Sequence, residues 1–321
     1  MIDVSLLVAF AVLEAHARVP MFQLGLFRIR AFTAGCLATL LIAVARGGMQ
    51  FMPIIWLQGV WLPLHGYRFE DTPLWAGIYM LPLTVGFLLS GPLSGRLSDR
   101  HGSRAFATTG AVLTGLAFVG LMLLPVDFDY PYFALILALS GIGQGMFGAP
   151  NTSAIMGSVP AGDRGVASGM RATFQNSGMA LSIGVFFTLM TTGLARALPS
   201  TLSSGLQSQG VPAATATSVS HSPPVSTLFA TFLGHNPIRH LLGPDTLNAL
   251  PPHNAETRTG STFSPHLISG PFHDGLLTVF TAAAIMSAAA AAASLSRGRR
   301  QATSASVAMA RNEGVAAHTA R

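Results

Sequence analysis

Charge is scarce in this chain: only 9% of its 321 residues are Asp, Glu, Lys or Arg, against about 25% in an ordinary soluble domain. That shortage argues against a water-soluble enzyme, and a mean hydropathy of +0.52 points to lipid as the solvent for much of the chain. Lysine is absent altogether, all eighteen basic residues being Arg; a GC-rich genome accounts for this without any mechanism. A single cysteine, Cys36, excludes an intramolecular disulfide. The apolar stretch from Met1 to Leu13 has no basic start, and Glu14 to Arg18 offers no small-residue cleavage site, so it does not read as a secretory signal.

What the chain has in quantity is long apolar runs. Between consecutive charges lie 47–67, 72–95, 105–126, 130–162, 172–195 and 275–296, each reaching the roughly 18–20 residues an apolar helix needs to cross a bilayer. Hydropathy and punctuation place six spans near 32–57, 74–95, 105–125, 132–157, 166–193 and 273–295. The fold class expected is therefore an all-α integral membrane bundle of six transmembrane helices. Another charge-free run, 197–238, is rich in Ser, Thr, Gln and Pro and lacks the hydrophobicity to insert. The expected organisation is a 1–31 segment ending in a linker, spans one to five over 32–193, a long loop over 194–272, the sixth span over 273–295 and a polar, disordered tail over 296–321. Within the loop, 226–242 has the apolar content to lie on a membrane surface, broken at Pro237.

Charge placement orients these spans. Arg28 and Arg30, then Arg96, Arg100 and Arg104, then Arg164 and Arg171, then Arg297, Arg299 and Arg300 all fall on one side; the short connectors opposite carry Glu70, Asp71, Asp127 and Asp129 with only Arg68. The positive-inside rule puts that arginine side, and both termini, in the cytoplasm of a cell membrane protein. A pI near 10.6 would suggest nucleic acid in a soluble chain, but arginines in short loops beside apolar spans are orientation signals, and nucleic acid is not expected as a partner.

The sharpest motif joins spans two and three: Gly95-Arg96-Leu97-Ser98-Asp99-Arg100-His101-Gly102-Ser103-Arg104. Gly95 allows close helix approach, Asp99 stands where it can pair with arginines and favour the next helix, and Gly102 supplies a tight turn. The segment resembles the signature loop of the major facilitator superfamily, departing only at Ser103. The resemblance implies that Gly95, Asp99, Arg100, Gly102 and Arg104 form a latch governing the switch between inward-open and outward-open states. Phe27-Arg28-Ile29-Arg30-Ala31-Phe32, Trp56-Leu57-Gln58-Gly59-Val60, Ala76-Gly77-Ile78-Tyr79-Met80-Leu81-Pro82, Gly141-Ile142-Gly143-Gln144-Gly145, Val159-Pro160 and Arg164-Gly165-Val166-Ala167-Ser168-Gly169 are similar, in order, to the C-terminal half of fourteen-span drug:proton antiporters. The N-terminal half of such carriers has an Arg where Gly141 stands here, and its fifth span has a Gly-Pro signature where this chain reads Asn176-Ser177-Gly178-Met179-Ala180. The fold expected is thus one half of a major facilitator fold, and 1–13 looks like the tail of a preceding span.

Polar residues inside spans are costly and therefore informative. Arg46 lies about 21 Å into the first span at 1.5 Å per residue, with Gln50 one turn later on the same face. Two readings stand open for Arg46: a cavity wall contacting substrate or a carboxylate partner, or a side chain snorkelling to the external border. Gln144 and Asn151 share a face of span four, beside a small-residue stripe of Gly141, Gly145 and Gly148. In span five Arg171 and Gln175 stack at i, i+4. Arg46, Gln50, Gln144, Asn151 and Gln175 are accordingly the cavity or substrate candidates. The resemblance implies that helices one, two, four and five face the cavity and three and six face lipid.

No Asp or Glu lies in the six apolar cores, so the coupling carboxylate of a proton-driven carrier is expected elsewhere. Six histidines (His221, His235, His240, His253, His266 and His273) sit in or beside the loop without metal-ligand spacing, and no nucleophile has an acid–base partner at membrane depth. Neither a metal, a catalytic residue nor a bound cofactor is expected; the proton gradient is the energy source. The function expected is export of drugs or other small molecules by alternating access, with an N-terminal half as partner besides lipid and substrate. A homodimeric half-size carrier or a non-transporting scaffold is the alternative.

Overall fold

The computed structural model describes residues 22–208 and 263–297, with 213, 216 and 217 between them. Six long helices are present among the described residues: α1 (Arg30–Leu64), α2 (Thr72–His101), α3 (Ser103–Leu123), α4 (Tyr130–Ser158), α5 (Arg164–Ser208) and α6 (Phe263–Leu295). Five of them are long and apolar enough to cross a bilayer, α6 from Ser269 onward. The sixth, α5, contains the expected fifth span at 166–193.

The helices run beyond the spans read from hydropathy. Pro53 and Pro63 do not end α1, which passes through a π-helical turn at Leu57–Trp61 to Leu64. Part of the expected 194–272 loop is helical: α5 continues to Ser208 and α6 begins at Phe263. Hydropathy reports what inserts into lipid, whereas helicity follows the backbone and continues into the polar run. The segment 1–13, the surface helix at 226–242 and the tail beyond 297 lie outside the described residues.

The strongest helix pairings are α2 with α4, α3 with α4, α3 with α6, and α1 with α5, with α6 also packed on α1 and α5. Centre and periphery follow from burial: 67% of the most apolar window of α1 is buried inside the bundle, against 22% for α2. Leu81, Val85, Leu88, Leu89 and Leu93 of α2 stand exposed, which costs nothing where the surroundings are lipid tails as apolar as leucine itself.

Glycine makes the α2–α4 contact possible. A Cβ on Gly141 would fall 2.1 Å from the Leu83 carbonyl oxygen and 2.9 Å from the Phe87 nitrogen. The small-residue stripe therefore divides, since Gly141 and Gly145 abut α2 backbone while Gly148 has nothing within 4 Å of its Cβ position.

At the end opposite the arginines, aromatic rings clasp α1 to the connector before α4. The Trp61 indole N–H donates to the Phe128 carbonyl at 2.8 Å, and its ring stacks on Phe128 at 5.3 Å and on His65 at 3.9 Å. Trp56 meets Phe128 edge-on at 4.9 Å. Trp61→Phe is expected to preserve stacking and lose one hydrogen bond, about 0.5–1.5 kcal/mol. Thermal unfolding of the detergent-purified chain should place it between wild type and Trp61→Ala.

Candidate functional site

A cavity of about 650 Å³ opens between α1, α2, α4 and α5, with Thr39, Arg46, Phe87, Gln144, Asn151, Arg171 and Gln175 among its lining residues. No residue of α3 or α6 lines it, in agreement with the division of helices that the sequence resemblance implies. A smaller cavity of about 220 Å³ adjoins it, sharing Arg46, Phe87 and Gln144 and adding Gln50 and Thr84. All five sequence candidates thus face this space: Arg46 and Gln144 both cavities, Gln50 the smaller, Asn151 and Gln175 the larger.

Of the two readings of Arg46, the cavity wall agrees with the geometry. Its guanidinium carbon lies 5.0 Å from the centroid of the Phe87 ring, a cation–π arrangement that partly offsets desolvation. No carboxylate lies within ion-pair distance of it among the described residues. Gln144 is buried and donates to the Ser140 hydroxyl at 3.2 Å. Arg171 donates to the Gln175 side-chain oxygen at 3.1 Å, the i, i+4 pair expected from spacing.

Asn151 is held differently. It is 1% exposed, and its amide nitrogen donates to the Thr39 hydroxyl at 2.8 Å. Its amide oxygen accepts from the Arg297 guanidinium, while Thr39 donates onward to the Gly35 carbonyl at 2.9 Å. Asn151 therefore builds the wall, with both amide atoms engaged by protein. Arg297 departs from the sequence reading, which grouped it with Arg299 and Arg300 as an exposed orientation charge. It folds back under the bundle at 3% exposure, and burial pulls its guanidinium down from the usual arginine value to about 10, so it stays charged at neutral pH.

Sequence reasoning missed Thr39, Phe87 and the inward turn of Arg297. Phe87 is one aromatic in an apolar run, and nothing in its neighbours marks it. Phe147 lines the larger cavity, whereas Phe174 packs on Phe22 and Phe27.

The Gly95–Arg104 motif is less of a loop than expected. Helix α2 continues to His101 and α3 starts at Ser103, leaving Gly102 as the whole connector, with φ +95°. That left-handed backbone favours glycine, so the turn role of Gly102 agrees with the geometry. Gly95 does not need to be glycine for packing, since its Cβ position lies 3.7 Å from Ala149, an ordinary contact. Asp99 and Arg100 are exposed, and Asp99 forms no ion pair among the described residues: on a helix Arg100 is its sequence neighbour and points elsewhere. Arg104 reaches across to the carbonyl of Leu295, tying the start of α3 to the end of α6.

Carboxylates stay out of the cavity. Asp274, at the outer edge of the sixth span, is exposed and not among the lining residues. No cluster of three or more His, Cys, Asp or Glu with metal-binding geometry occurs among the described residues.

Residues 9–183 match the Major Facilitator Superfamily. The riboflavin transporter RibZ of Clostridioides difficile is 26% identical over 197 residues, 60% of this chain and 41% of that protein. The tetracenomycin C resistance and export protein of Streptomyces glaucescens is 28% identical over 59% of this chain and 34% of its own length. The methyl viologen resistance protein SmvA of Salmonella typhimurium is 29% identical over 60% and 37% respectively. The matches thus span well under half the length of these curated relatives. With more than half of its residues inside the family match and five helices able to cross a bilayer, the chain belongs to the Major Facilitator Superfamily and is a multi-pass membrane protein.

Proposed function

We propose that this chain forms the C-terminal half of a small-molecule exporter that works by alternating access. The observation that carries the reading is the cavity itself: α1, α2, α4 and α5 supply one polar-studded wall, and α3 and α6 stand behind it. Two such bundles rocking around a midplane site expose substrate first to one face and then to the other. The resistance and export functions named for two relatives favour outward transport of drug-like molecules. Gly141 and the Asn176–Ala180 stretch, in place of the N-terminal-half signatures, favour the C-terminal assignment. The absence of carboxylates from the cavity lining supports a coupling group on a partner half, with a proton gradient as the energy source. We place the protein in the cell membrane with the arginine-bearing end, and both termini, in the cytoplasm.

The test is efflux in a pump-deficient host, using tetracenomycin C as substrate. Expressed alone, the chain should give no gradient-dependent export; coexpressed with an N-terminal half, it should give export that an uncoupler abolishes. Clear export by the chain alone would overturn the half-carrier reading in favour of a homodimer. In the two-half system Asp99→Asn should lower export at least fivefold with insertion intact, and an unchanged rate would remove the latch role.

A further inference from the structure

The cavity has cations and no anions. Arg46 and Arg171 line it, and its lining residues include no Asp, Glu or Lys. Arg297 stands directly behind Asn151 on the same wall. The partners of all three are neutral: the Phe87 ring for Arg46, the Gln175 side-chain oxygen for Arg171 and the Asn151 oxygen for Arg297. Donors are also left over, since Arg171 Nε and two of the Arg297 nitrogens, Nε and Nη1, are buried with no hydrogen-bond partner.

A guanidinium withdrawn from water is costly unless a counter-charge meets it. Low-dielectric walls focus the field of several like charges into the space between them. Ile42, Phe87, Phe147 and Met179 make the remaining wall apolar, and the volume of about 650 Å³ suits a single small organic molecule. We infer that the cavity binds amphipathic organic anions, an apolar or aromatic body against Phe87 and Phe147 with a carboxylate or sulfonate received by Arg46 and Arg171. The inference rests on the exporter reading for its biological meaning but concerns binding, which is measurable without transport. Guanidinium groups suit the task because their planar donor fork engages carboxylate oxygens in pairs.

Three probes of one shape and different charge test it: 2-naphthoate, 2-naphthylmethanol and (2-naphthylmethyl)trimethylammonium. Binding to the full chain in phosphatidylcholine nanodiscs is measured by equilibrium dialysis against empty discs. Naphthoate should bind at least tenfold more tightly than the alcohol, and the ammonium probe most weakly. Arg46→Met and Arg171→Met should each weaken naphthoate about tenfold, about 1.4 kcal/mol, while Arg46→Lys keeps most of the affinity by keeping the charge. Rising salt should weaken naphthoate binding to the wild-type chain, a readout that needs no variant to fold. Equal or tighter binding of the ammonium probe, or naphthoate binding indifferent to both arginines, overturns the charge preference and leaves the exporter reading standing. Binding of none of the three overturns the cavity as a substrate site and the exporter reading with it.

Discussion

Replacing Gly141 by alanine is expected to lower the thermal unfolding temperature of the detergent-purified chain by roughly 2–12 °C, while Gly148→Ala leaves it unchanged or raises it. The two glycines lie seven residues apart on α4, and the sequence does not distinguish their roles. At Gly141 the added Cβ meets the Leu83 carbonyl oxygen at 2.1 Å and the Phe87 nitrogen at 2.9 Å. Both are backbone atoms, so relief requires α2 and α4 to separate along a principal contact of the bundle. Overpacking a tight interface costs about 1–3 kcal/mol, which at about 2–4 °C per kcal/mol for a chain of this size gives the stated shift. Opposing it is the helix propensity of alanine, worth up to about 1 kcal/mol over glycine. At Gly148 only that favourable term operates, because the new methyl enters the cavity with nothing within 4 Å. Thermal unfolding of both variants with identical tags, read by fluorescence-detected size exclusion, decides the matter. Equal shifts would mean that α2 and α4 do not approach as closely as described. A larger side chain at Gly148 should act on ligand binding instead of stability, since it takes volume from the site.

That contrast shows what the sequence made legible. Charge-free runs located every long helix among the described residues, because apolar length is what a bilayer demands of a chain and it is written residue by residue. They misjudged the ends of α5 and α6 because the polar positions before Ser208 and after Phe263 are no obstacle to helix outside lipid. Polar residues in apolar surroundings led to Arg46, Gln50, Gln144, Asn151 and Gln175, and all five face the cavity, since an unpaired polar group has few other places to go in hydrocarbon. Phe87 and Thr39 stayed hidden because their importance comes from what crosses to meet them, the Arg46 guanidinium in one case and the Asn151 amide in the other. Arg297 misled for a related reason. An arginine just after a span followed by two more has the pattern of an orientation signal, and only the return of the chain beneath α1 and α4 turns it into a buried group.

Asn151→Leu should be more damaging than Arg297→Met, and the pair together should be milder than Asn151→Leu alone. In the wild-type chain the Arg297 guanidinium donates to Asn151 in a nearly dry site, and its other nitrogens already lack partners. Removing Asn151 takes away that acceptor and leaves a buried guanidinium with no hydrogen-bond partner, a cost of about 3 kcal/mol or more for a charged group. Thr39 contributes little to the loss, since its hydroxyl still donates to the Gly35 carbonyl. Arg297→Met instead removes the charge and leaves one amide oxygen without a donor, about 1–3 kcal/mol, offset by the end of the guanidinium's own desolvation. In the double variant neither liability remains, and well-packed apolar replacements for buried polar pairs are often neutral or stabilising. The expected order of unfolding temperatures is wild type and double variant highest, Arg297→Met below them and Asn151→Leu lowest. Simple additivity of the two single losses would mean that the residues do not interact and that Arg297 is solvated. The double variant also separates structure from charge at the site: it should fold like the wild type and still bind 2-naphthoate less tightly, because one of the three cations around the cavity is gone while Arg46 and Arg171 still line it.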